Sequence, residues 1–68
     1  MKIKVGDVLH QEPQENPDCK IEVIIENIVA VSFKRGNIGL GVGERTFIDW
    51  LPTESINNML NRNWSIKK

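Results

Sequence analysis

One cysteine, Cys19, and one histidine, His10, are all that this chain of 68 residues offers of the side chains that staple small domains or build metal clusters. A single cysteine excludes an intramolecular disulfide and a cysteine metal cluster. His10 and Cys19 flank an acidic segment, but a lone histidine and a lone cysteine are more often a strand-end polar group and a small buried hydrophobe than ligands. No metal and no cofactor is expected. His10 also has no serine or cysteine beside it in sequence, and so short a chain encloses little volume for a substrate, so catalysis is not expected either. Excess charge is lacking as well: nine basic and nine acidic residues cancel, where a nucleic-acid binder normally shows a basic domain or stripe. There is no long apolar run. Met1-Lys2-Ile3-Lys4-Val5-Gly6-Asp7 brings charge at once, which argues against a signal peptide and a membrane span and for the cytoplasm. On that reading the sequon Asn63-Trp64-Ser65 goes unused.

What is present suits one small globular domain, residues 1–68. Hydrophobic residues make up 40% and charged residues 26% of the chain, outside the range of disordered sequences. A domain of this size buries only about 60% of its unfolded surface, so its core is thin and self-association is a natural support. Residues 1–33 hold three basics and six acids, the remainder six basics and three acids, a modest dipole at most.

Along the chain, Lys4 to His10 reads as a short strand interrupted near Gly6-Asp7, with Val5, Val8 and Leu9 as core candidates. Gln11 to Asp18, polar and holding two prolines, reads as an exposed loop. Ile21, Val23 and Ile25 then alternate with Glu22, Ile24 and Glu26 at the period of a half-buried strand. In this pattern Ile24 is an apolar side chain on the glutamate face. A turn at Glu26-Asn27 leads to Val29, Val31 and Phe33, apolar opposite Ala30 and Ser32, and the two runs form an antiparallel hairpin. Lys34-Arg35-Gly36-Asn37 is the next turn. Arg45 to Trp50 reads as a further strand or, with Thr46 as cap, a short helical turn. Pro52-Thr53-Glu54-Ser55 opens a helix with Thr53 as N-cap; Ile56, Met59 and Leu60 share one helical face, and the asparagines after them limit its length. Trp64 and Ile66 resume an extended segment that closes on the first strand or covers the helix.

Four of the five glycines fall within residues 36–45. They do not make a dinucleotide fingerprint, since the third glycine position after Gly39 and Gly41 is Glu44, and the Gly-Lys-Ser/Thr ending of a phosphate loop is absent. Ile38, Leu40 and Val42 instead alternate with Gly39, Gly41 and Gly43, a strand whose bare face needs something bulky over it. Trp50 or Trp64 could supply that bulk from within; a partner could supply it from outside. The expected partner-binding residues are Ile24, Gly39, Gly41, Gly43, Trp50 and Trp64, because interfaces need exposed apolar patches and favour tryptophan. The alternative is single-stranded nucleic acid, held by Lys34, Arg35, Arg45 and Arg62 beside the few aromatics.

Val5-Gly6-Asp7-Val8, the hairpin from Ile21 to Phe33 and the turn Lys34-Arg35-Gly36-Asn37 together resemble small SH3-like barrels, over about half the chain. The resemblance implies a binding module whose ligand lies across aromatic and loop residues at one side; the helix from Thr53 and the Trp64 tail depart from a minimal barrel. The expected architecture is a β-rich α+β domain: a strongly bent antiparallel sheet of four or five strands, or an SH3-like small barrel, with one short C-terminal helix. The expected function is noncatalytic binding of a protein or of a second copy, with no membrane. Richness in Ile, Asn and Lys at this size resembles AT-rich bacterial and phage genomes, whose short chains often modulate a host protein.

Overall fold

The alternation after Cys19 does form a strand, but its faces exchange halfway along. In the structure, a computed structural model that describes residues 3–36 and 43–67, β2 (Cys19–Ile25) pairs antiparallel with β3 (Ile28–Arg35), and the register slips between Ile21 and Val23. Ile21 lies opposite Val31 and Val23 opposite Ala30, so Glu22 is the extra residue of a β-bulge. Beyond it the side chains change sides. Ile21 is fully buried, Ile24 packs on the core, and Val23 and Ile25 stand exposed. Val23 and Ile25 are therefore not the core residues that strict alternation predicts, and Ile24 is not an exposed residue among glutamates.

The bulge is braced from both sides. Ser32 donates its hydroxyl to a Glu22 carboxylate oxygen at 2.5 Å. The Ile21 N–H donates to the Asp7 carbonyl and the Ile21 carbonyl accepts from the Gly6 N–H, both at 2.8 Å. Residues 4–7 thus form a turn rather than strand, with Gly6 at φ 97° and the Asp7 carboxylate accepting the Lys4 N–H at 2.9 Å. This turn leaves Val5 exposed, against its expected burial, and β1 (Val8–Gln11) starts only after it.

The β2–β3 turn is Glu26-Asn27, with Glu26 at φ 49°. β4 (Arg45–Pro52) pairs with the whole length of β3, from Ile28 opposite Pro52 to Arg35 opposite Arg45; Thr46 caps no helix. The helix α1 (Thr53–Leu60) follows without a loop. Thr53 is its first residue rather than its N-cap, because the extended backbone ends at Pro52, which holds the cap position without a side-chain bond; the Thr53 N–H donates to the Asn27 carbonyl at 2.9 Å. Ile56 is fully buried, with Met59 and Leu60 packed beside the core, and Asn61 ends the helix. β5 (Trp64–Lys67) then pairs antiparallel with β1, Val8 opposite Lys67 and Gln11 opposite Trp64.

The result is a β-rich domain: among the described residues, one five-stranded antiparallel sheet, in the order β4-β3-β2-β1-β5, and one short helix. Ile3, Leu9, Cys19, Ile21, Val29, Val31 and Ile56 form the core on its inner face, flanked by Ile24, Phe33, Leu51, Met59, Leu60, Trp64 and Ile66. The strand expected over residues 38–43 falls almost wholly outside the described residues.

Candidate protein interface

Two surfaces of the sheet offer something to bind with. The first is the outer face of β2, β3 and β4. The bulge puts Val23 and Ile25 there, and the period of two adds Ile28, Ile48 and Trp50; these five large apolar side chains are between 37% and 62% exposed. Register sets four of them in rows, Val23–Ala30–Trp50 and Ile25–Ile28–Pro52, while Ile48 lies opposite Ser32, two residues from Trp50 on the same face of β4. Ala30, in the middle of its row, is only 2% exposed, so its flanking neighbours join into a continuous apolar strip. A contiguous patch of this kind on one face of a sheet marks an interaction surface more often than chance exposure of single residues does.

The second surface is the far end of the inner face, where the core thins out. Phe33 on β3 and Phe47 on β4 stack with ring centroids 5.7 Å apart, and the Arg35 guanidinium lies 5.8 Å from the Phe33 centroid. A cleft of about 260 Å³ runs past Phe33, Arg35, Asp49, Leu51, Pro17 and Trp64. A larger, shallower depression of about 590 Å³ passes Lys20, Ser32, Lys34 and Thr46 on the other side.

Against this geometry the expected site residues separate. Trp50 is half-exposed on the outer face; Trp64 packs on the core and is the tryptophan that the fold consumes. Ile24 faces inward and belongs to the core rather than to a surface patch. Gly43 is exposed and a Cβ built on it meets nothing within 4 Å, so no described residue lies over it. Gly39 and Gly41 lie outside the described residues. Val23, Ile25, Ile28 and Ile48 are outer-face residues that the sequence pattern does not single out. The signal for the first two was the apolar Ile24 out of phase, which marks a slip in register. Of the basic residues, Arg35 and Arg45 lie opposite each other on the inner face and Lys34 lies opposite Thr46 on the outer one. Arg62 belongs to a separate element, the turn between α1 and β5.

The remaining polar side chains bond to one another and to the backbone. Gln11, buried at the end of β1, accepts with its side-chain oxygen from the N–H groups of Glu15 and Asn16 at 3.0 and 2.9 Å, and from the Asn16 amide. That ties the acidic loop to the strand. His10 is held between carboxylates, Nδ1 2.7 Å from Asp18 and Nε2 3.2 Å from Glu12, and Lys67 reaches Asp18 at 3.4 Å. Hydrogen bonding to Asp18, then to Glu12, raises the His10 pKa above its ordinary value, and the bond to His10 lowers that of Asp18. Burial pushes the Cys19 thiol up to about 11, which keeps it protonated and unreactive. Among the described residues, no group of three or more His, Cys, Asp and Glu side chains is arranged to hold a metal, and no helix is long and apolar enough to cross a membrane. Comparison of the chain with protein-family models, curated proteins and solved structures finds no match.

Proposed function

We propose that the chain is a noncatalytic protein-binding module that receives its partner on the outer face of β2, β3 and β4. The observation that carries this reading is the strip of Val23, Ile25, Ile28, Ile48 and Trp50, large apolar side chains left half in water by a domain with few to spare. Burying such side chains recovers about 25 cal/mol per Å² of apolar area, and tryptophan is a common anchor of such patches. The strand order, in which the last strand lies beside the first, supports reading the domain as an SH3-like module, and binding to a host protein is the role such a module would fill in a phage or mobile element. The test is capture from a lysate of the source cell by the native protein and by Ile25→Glu, whose exposed site leaves the fold intact. One protein retained by the native chain, resistant to nuclease and lost with Ile25→Glu, is the expected result; a catch unchanged by the substitution sinks the reading.

Single-stranded nucleic acid is the second reading. It draws on the Phe33–Phe47 stack with Arg35 over it and Arg45 opposite, the combination of rings and cations that such binders use. Asp49 on the same face and the zero net charge weigh against it. A fluorescent oligonucleotide bound with a steep loss of affinity as salt rises would favour this reading over the first.

A further inference from the structure

The outer edge of β4 has no neighbouring strand among the described residues, and its sequence is complementary to itself. We propose that this edge pairs with β4 of a second copy of the chain, antiparallel and about a two-fold axis through Phe47. The inference rests on the reading of the chain as a protein-binding module and names one of its partners.

Eight residues long and exposed at every position but Leu51, β4 presents a row of unpaired backbone groups of the kind that recruits another strand. Arg45, Phe47, Asp49 and Leu51 alternate onto the inner face: Leu51 lies opposite the buried Val29, Asp49 opposite Val31, and Phe47 stacks on Phe33. Within one chain the charges on this face are poorly matched. Arg45 lies opposite Arg35, and among the described residues neither Arg45 nor Asp49 forms an ion pair.

A two-fold axis at Phe47 places Arg45 of each chain directly across from the partner's Asp49, so both charges are answered twice. It also sets Phe47 against Phe47, which extends the Phe33–Phe47 stack into a row of four rings across the axis. Thr46 and Ile48 pair on the outer face. Among the symmetric registers that keep inner face beside inner face, this one alone joins Arg45 to Asp49; centring on Asp49 or on Arg45 would instead bring like charges together, which costs stability in directly opposed pairs. Pro52, which has no N–H to give to a ladder, falls at the margin of the paired segment. The two outer apolar strips become neighbours in one ten-stranded sheet.

Sedimentation equilibrium of the full chain, at concentrations up to about 1 mM so that a weak dimer is visible, tests the proposal with two charge reversals. The native chain is expected to show a monomer–dimer equilibrium. Asp49→Arg and Arg45→Asp should each weaken it by at least about tenfold. An equimolar mixture of the two variants should restore it, because each Asp then again faces an Arg. A native chain that stays monomeric, a dimer indifferent to both reversals, or folded variants whose mixture does not pair would each overturn the proposal. Should a variant fail to fold, amide exchange of the native chain decides: protection across residues 45–51 should rise with protein concentration, and protection independent of concentration refutes the pairing. Ile25→Glu is expected to leave the dimer intact while releasing the outer-face partner, and Asp49→Arg to do the reverse, so either reading can fail alone.

Discussion

Glu26 holds the hairpin turn with φ 49°, a conformation that L side chains other than Asn and Asp adopt reluctantly. Replacing it by Asn, which tolerates this region, is expected to stabilise the domain by about 0.5–1 kcal/mol, read as a rise of a few degrees in Tm. His10 makes a different residue-level prediction. Its pKa is raised from 6.5 by Asp18 and Glu12, so its contribution to stability is complete below pH 6.5 and is lost as pH climbs through the higher folded value. Asp18, lowered from 3.8, contributes above that pH and loses its share as pH falls through the lower folded value. Urea titrations across pH should therefore find a maximum between about 4 and 6.5, and His10→Gln should flatten the alkaline limb. Both groups lie near water, so the limbs will be shallow.

At the scale of the elements, the bulge at Glu22 decides more than any single side chain. It predicts that Ile24→Ala, on the core side, costs about 1–2 kcal/mol while Ile25→Ala costs under about 0.5; equilibrium unfolding of the two variants would show the reverse order if the strand ran unbroken. The hairpin turn at Glu26-Asn27, the helical face of Ile56, Met59 and Leu60 and the extended run of Trp64 and Ile66 were legible, because each is written in local spacing; that this run lies beside β1 rather than only over the helix is a long-range pairing that local spacing leaves open. The bulge was not. An extra residue in a ladder leaves the composition of the strand unchanged and is settled by the backbone bonds that Asp7 and Gly6 offer to Ile21, fourteen or more positions away in sequence. The candidate site suffered accordingly: Trp50 could be named from its residue type, whereas Val23 and Ile25 were hidden by the alternation itself. Thr53 failed as a cap because the extended backbone of β4 ends one residue earlier, at Pro52, and Thr53 already has helical geometry.

Taken whole, the molecule keeps its one thiol in the core, 6% exposed and with a pKa of about 11. Cys19 should therefore resist thiol reagents until the domain opens, and its labelling rate at neutral pH should track global unfolding as denaturant is raised. Fast labelling of the native protein would show that the inner face near Phe33 and Trp64 breathes locally. The pairing of Val8 with Lys67 has a consequence for the order of events in folding. β2, β3 and β4 are joined by contacts close in sequence and can zip together early. β5 reaches its place only by closing a loop that spans nearly the entire chain, at an entropic cost no local contact offsets in advance. The meander should thus nucleate the fold and the fifth strand should lock it, which makes that closing step the slow one and leaves the free flank of β1 as the last surface to be sealed.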